Sequence, residues 1–154
     1  MFQNWGMENK MKKFWITAGT IFVFSYLFNF IWEAYHAVFL YANHDFSASQ
    51  YVMMLSYVAM VDAITILGGY FILSVVWKDF FWVKILNRKQ VLVFFLSGLI
   101  TATLGEYMAV YVLNKWKYNS LMPMIFGVGL SPLIQLSMTG LLVLWLTKRL
   151  VHKS

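Results

Sequence analysis

The chain contains no cysteine, which excludes disulfides, thiolate metal sites and cysteine nucleophiles. Charge is scarce as well. Only 12% of the 154 residues are Asp, Glu, Lys or Arg, about half of the roughly 25% found in soluble domains. A water-soluble fold of this size could not cover its surface with so few. Proline occurs only twice, as Pro123 and Pro132, so long stretches carry no helix breaker. No phosphate loop, nucleotide fingerprint or paired-His metal signature is present. No linker, repeat or low-complexity segment divides the chain, and its length suits one domain.

What fills the sequence instead is apolar: 61% hydrophobic, with 19% aromatic residues that gather near the ends of long runs. Four such runs stand out, over residues 14–41, 51–77, 91–113 and 121–147. Each exceeds the roughly 20 residues needed to cross about 30 Å of hydrocarbon. None alternates with period two, and inside a bilayer the backbone must satisfy its own hydrogen bonds, so helix is expected throughout. The expected fold class is all-α, a four-helix transmembrane bundle in a single domain, 1–154.

Flanking charge predicts orientation. Lys10, Lys12 and Lys13 precede the first run; Lys78, Lys84, Arg88 and Lys89 follow the second; Lys148, Arg149 and Lys153 follow the fourth. With four spans these ten share one side, and only Lys115 and Lys117 lie on the other. Basic residues remain inside, so both termini are expected in the cytoplasm and the protein in the cytoplasmic membrane. The excess of twelve basic over six acidic residues then means contact with anionic lipid headgroups rather than nucleic acid. The basic start followed by an apolar run resembles a cleaved leader. The run is too long, however, and continues into Asn29-Phe-Ile-Trp-Glu33 without a small-x-small site, so a retained span is expected.

Residues 78–90 mix Phe80, Phe81, Trp82 and Ile85 with Lys84 and Arg88. They fit either a short interfacial helix or an aromatic-anchored loop. Asp79, His44 and Asp45 read as solvated. Trp116-Lys117-Tyr118 reads as an interfacial anchor. Pro132 is expected to kink the fourth helix and free a carbonyl near Val128. Gly68, Gly69, Gly127, Gly129 and Gly140 are expected to permit close helix packing.

Three acidic residues lie well within the spans, one each on the first three: Glu33, Asp62 and Glu106. A carboxylate at mid-helix costs about 2.5–3.5 kcal/mol on insertion, while each Leu, Ile, Phe or Val returns about 0.3–0.6. Every helix can tolerate one, but three form a costly set to keep as mere glue. At 1.5 Å per residue all three fall between mid-membrane and the outer surface. Other polar residues share their helical faces: Asn29, Glu33 and His36; Asp62 and Thr65; Thr103 and Glu106; Ser131, Gln135 and Thr139. Four stripes of this kind suggest one common axis. No Lys or Arg lies at that depth, so the acids must retain protons, pair with a protonated His36, or bind a cation; retained protons need no further component.

The pocket candidates are therefore Asn29, Glu33, His36, Asp62, Thr65, Glu106, Ser131 and Gln135. Glu33 and His36 have the Glu-x-x-His spacing of di-metal bundles, but it occurs once where such bundles use two copies; no metal or other cofactor is expected. Ser131 stands before Pro132 with no base identifiable beside it, so the sequence does not point to a nucleophilic serine.

The landmarks Asn29-Phe-Ile-Trp-Glu33, Leu40-Tyr41, Asp62-Ala63, Glu106-Tyr107, Trp116-x-Tyr118, Met122-Pro123 and Gly129-Leu-Ser-Pro-Leu-Ile-Gln135 together resemble a group of small bacterial four-span integral membrane proteins of unknown function. The likeness spans most of the chain. It implies no activity, but its landmarks coincide with the polar residues chosen above on energetic grounds.

Three classes of function remain open on these residues. One is a pocket that binds or acts on a small apolar or lipid-like molecule, with a carboxylic acid as general acid/base if it is an enzyme. Another is an accessory or scaffold subunit that packs against a membrane partner protein. The third is proton- or cation-coupled transport, for which a second copy of the chain would have to supply a missing half.

Overall fold

The computed structural model describes residues 2–42 and 46–151, with side chains from residue 8 onward. His44, Asp45 and Lys153 lie outside the described residues. Four long helices make up the molecule: α1 (Phe2–Phe39), α2 (Ala48–Val76), α3 (Arg88–Tyr107, prolonged by a π turn over Met108–Val112) and α4 (Leu130–Val151). All four contain stretches long and apolar enough to cross a membrane.

Their surfaces are inverted relative to a water-soluble bundle. Val23, Leu27, Ile31, Tyr57, Ile64, Ile72, Ile100 and Leu104 are exposed, whereas Ser25, Asn29, Glu33, His36, Gln135, Ser137, Thr139 and Thr147 are buried. Polar groups inside and large apolar groups outside is stable only where the surroundings are hydrocarbon. The chain is thus a multi-pass membrane protein whose two ends, after four spans, share one side.

Helix starts are set by short polar signals. Ser47 caps α2 and Asn87 caps α3; in both, a Gln three residues on returns the bond to the cap's own N–H, at 3.0 Å in each case. These are reciprocal capping boxes that satisfy otherwise orphaned donors. α4 begins later than the hydrophobic pattern suggests. Residues 121–129 are not helical. Met124–Ile125 (β1) pairs antiparallel with Val128–Gly129 (β2) through a two-residue turn, Phe126-Gly127, both at positive φ. That turn favours Gly. Leu130 N–H donates to Pro123 O at 2.7 Å and closes the hairpin. Pro132 therefore occupies the first turn of α4, where a missing N–H costs nothing, and the expected kink is absent.

α4 is the most buried helix; it packs along both α1 and α3. Gly98 and Gly140 make the α3–α4 approach possible. A Cβ at Gly98 would meet Ser137 Oγ at 2.7 Å, and one at Gly140 would meet Phe94 Cε1 at 2.7 Å. Gly68 and Gly69 face open space, and Gly127 and Gly129 belong to the hairpin rather than to a helix contact.

The 78–90 connection is neither a surface helix nor a mere anchor. A 3-10 turn, Trp82–Ile85, pushes Trp82 and Val83 into the end of the bundle. The Trp82 ring lies 4.5 Å from Trp77, 5.2 Å from Tyr70 and 6.3 Å from Phe94, and its indole N–H donates to Ser74 Oγ at 3.0 Å. The Tyr70 hydroxyl donates to the Phe80 carbonyl. Asp79 is exposed and accepts from the Phe81 N–H at 2.8 Å. This aromatic plug closes the end of the bundle that carries the termini.

Candidate functional site

The opposite half of the bundle gathers the polar residues. Gln135, buried on α4, is their hub. Its side-chain N–H2 group lies 2.7 Å from Glu33 Oε1, 3.1 Å from Asn29 Oδ1 and 3.1 Å from Asp62 Oδ2. One nitrogen thus ties α4 to α1 and α2, and the Glu33 and Asp62 oxygens lie within about 6 Å of each other because they share it. Asn29 is held in turn: its own NH2 donates to Ser25 O at 2.8 Å, which aims Oδ1 at Gln135 and at the Thr139 hydroxyl, 3.2 Å away.

Glu106 is not on that amide. It sits in the last turn of α3, two residues before the π segment, and the loop between α3 and the hairpin folds back over it. The Tyr118 hydroxyl donates to Glu106 Oε2 at 2.5 Å and the Trp116 indole N–H to the same oxygen at 3.3 Å. The loop is itself pinned to the end of α1: Ala42 N–H donates to Lys117 O at 2.9 Å, Asn119 N–H to Leu40 O at 3.0 Å, and the Asn119 side chain to Phe39 O at 2.8 Å. The two bonds from Asn119 satisfy carbonyls that the end of a helix leaves without partners. Trp116 and Tyr118 are therefore a lid over an acid.

Tyr41, just beyond α1, links the two groups. Its ring lies 5.8 Å from His36, 5.9 Å from Trp116 and 5.8 Å from Tyr118. Burial raises its phenol well above the ordinary range, and Glu106, Glu33, Tyr118 and Asp62 raise it further. The Tyr118 phenol is raised too, by burial first and then by Glu106.

His36 adds a second constellation. Its Nε2 lies 2.7 Å from Ser131 Oγ and receives the Trp32 indole N–H at 2.6 Å. An indole can only donate, so Nε2 carries a lone pair, and a neutral ring then bears its proton on Nδ1. That geometry disfavours the imidazolium pairing considered from sequence. Nδ1 is buried, has no hydrogen-bond partner among the described residues, and faces Glu33 Oε1 at 3.8 Å.

Of the residues singled out in the sequence, Asn29, Glu33, Asp62 and Gln135 share one hydrogen-bond hub, and His36 and Ser131 form a pair beside it. Thr65 and Thr103 instead donate back to their own helices, to Val61 O and Leu99 O at 2.8 Å each. No base beside Ser131 is identifiable from its own stretch; the structure supplies His36, 95 positions away. Trp32 carried a local signal, since it stands four residues before His36 on one helical face. Tyr118 and Trp116 carried none, because a loop delivers them.

Between α1 and α4 an apolar groove of about 710 Å³ opens on the outside of the bundle. Phe28, Ile31, Phe39 and Leu142 form its walls, and Trp32, His36, Ser131 and Thr139 also line it. No family model, curated protein or solved structure matches this chain.

Proposed function

We propose that this protein binds an amphiphilic, lipid-like molecule, with the apolar chain lying in the α1–α4 groove and the polar head against His36 and Ser131. The observation that carries the reading is the lining of the groove. A lipid-facing trough that is apolar along its length but holds a histidine–serine pair backed by Glu33 and Gln135 matches the two halves of an amphiphile. Ligand sites are typically apolar with a few convergent polar groups, and buried polar side chains in a membrane bundle mark substrate paths. The ten-to-two split of basic residues supports both termini lying in the cytoplasm, with the groove in the outer leaflet of the cytoplasmic membrane.

Photo-crosslinking tests this in membranes, using a phospholipid that carries a diazirine in its acyl chain. Adducts should concentrate on Ile31, Tyr35 and Met138 around the groove. Ile31→Trp, which fills the trough, should abolish them, while Ile64→Trp on α2 should not. Adducts spread evenly over the lipid-facing residues of all four helices would reject the reading.

A further inference from the structure

We propose that Ser131 is a nucleophile for acyl transfer from a membrane-soluble carboxylic ester, with His36 as its general base and Glu33 as the group that orients His36. The proposal rests on the groove reading for its choice of substrate and on separate geometry for its chemistry.

Nucleophilic serine catalysis requires three things in order: a hydroxyl on one imidazole nitrogen, the ring proton on the other nitrogen, and an acid facing that proton. The three residues occupy that order. Ser131 Oγ is 2.7 Å from Nε2. The Trp32 indole donates to Nε2 and so places the ring proton on Nδ1. Nδ1 faces Glu33 Oε1 at 3.8 Å with no other partner among the described residues. That separation is longer than a hydrogen bond, and such contacts often tighten only when substrate is bound. Glu33 and His36 share one face of α1 at i, i+3, and the Gln135 amide fixes Glu33 by donating to the same Oε1 at 2.7 Å. Ser131 lies in the first turn of α4, where the positive end of the helix dipole favours a developing oxyanion.

The steps balance without a metal or redox partner. Ser131 Oγ bonds to the ester carbonyl carbon while its proton passes to His36 Nε2. The bond from that carbon to the alcohol oxygen then breaks, and the alcohol leaves with the proton from Nε2. Water attacks the acyl-serine by the same route, releasing a carboxylic acid and restoring the hydroxyl.

Trp32 is a positioning residue with an opposing effect. Its N–H occupies the lone pair that must receive the serine proton, and a protonated Nε2 would face it donor to donor. Trp32 must therefore turn away during the reaction. It is half-buried and lines the groove, so an acyl chain entering there can displace it. Trp32 holds the base in its correct tautomer at rest and occludes it until the groove fills.

The test uses the full chain in lipid nanodiscs and a fluorophosphonate carrying a long alkyl chain, read by intact mass and peptide mapping. One adduct per chain is expected, on Ser131. Ser131→Ala should remove it, and His36→Gln should slow labelling by about 100-fold or more, the usual contribution of a general base. Glu33→Gln should slow it less. Trp32→Phe should label faster than the parent, an acceleration that a purely structural tryptophan would not give. Gel filtration and helical circular dichroism identify variants that have lost their fold, and Ser131→Cys, labelled by a long-chain iodoacetamide, keeps the site testable if the alanine variant is one of them. No adduct on the parent protein, an adduct elsewhere, or His36→Gln labelling at the parent rate would overturn the proposal. If the diazirine lipid marks the groove but the phosphonate leaves Ser131 untouched, the chemistry falls and the binding reading stands. If an ethyl-chain phosphonate labels Ser131 as fast as the long-chain probe, the nucleophile stands and the groove reading falls.

Discussion

The Gln135 side chain on α4 donates to the Glu33 carboxyl on α1 at 2.7 Å, in the buried half of a bundle whose outer surface is apolar. The same nitrogen reaches Asn29 and Asp62. Two N–H groups thus serve three oxygens on two helices, so one side chain ties α4 to both. Interhelical hydrogen bonds in membranes average only about 0.6 kcal/mol each, because the separated helices also find partners, so this hub sets register more than it supplies stability.

Replacing Gln135 by Leu keeps the volume and removes the donors. The expected loss is about 2 kcal/mol, three bonds at the membrane average, measured by SDS-induced unfolding in bicelles. Gln135→Glu should cost more, since it sets a third carboxyl against Glu33 and Asp62 with no Lys or Arg at that depth. A Gln135→Leu variant as stable as the parent protein would show that the hub is not a structural tie.

The α3–α4 seam makes a prediction of the opposite kind, about too much side chain rather than too little. Gly98→Ala brings a methyl against Ser137 Oγ at 2.7 Å and Ser137 Cα at 3.2 Å. The backbone contact cannot turn aside, so the helices must separate, at about 1–3 kcal/mol. Ser137→Ala removes the hydroxyl and should recover part of the loss in the double variant. The coupling from a double-mutant cycle measures it; strict additivity would mean that the two residues do not meet.

Much of this architecture was legible in the sequence, and the reason is physical. Hydrocarbon imposes a length and composition on each span that few other environments require, so four apolar runs announce four helices. The cost of a buried carboxyl likewise makes Glu33, Asp62 and Glu106 conspicuous. What composition could not show was which apolar stretch stays unwound. Residues 121–129 are as apolar as a span, yet Pro123 and Gly127 turn them into a hairpin, which moves Pro132 from mid-helix to a first turn. Nor could local pattern show partners brought from afar. Ser131 had no base within its own stretch, and the lid residue Tyr118 reaches Glu106 only because its loop is pinned to the end of α1. Trp82 looked like an interfacial anchor because aromatics at span ends usually are; here the 3-10 turn folds it inward.

The lid predicts an alkaline limb of stability. The Tyr118 phenol is raised above its ordinary value of 10.0 by burial and then by the Glu106 carboxyl it serves. A group that holds its proton more tightly when folded contributes stability that is complete below its unfolded value and is lost as pH rises through the folded one. The loss therefore starts near pH 10 and grows upward, with no effect at neutral pH. Tyr118→Phe should lower stability at pH 8 by about 1 kcal/mol through the lost hydrogen bond, yet decline less steeply than the parent protein above about pH 10. The measurement is the unfolding midpoint of both proteins across that range. Every other residue is common to both proteins, so the difference between the two curves isolates Tyr118. Parallel curves would mean that the phenol does not ionise against Glu106, and that the loop over this acid is not a closed lid.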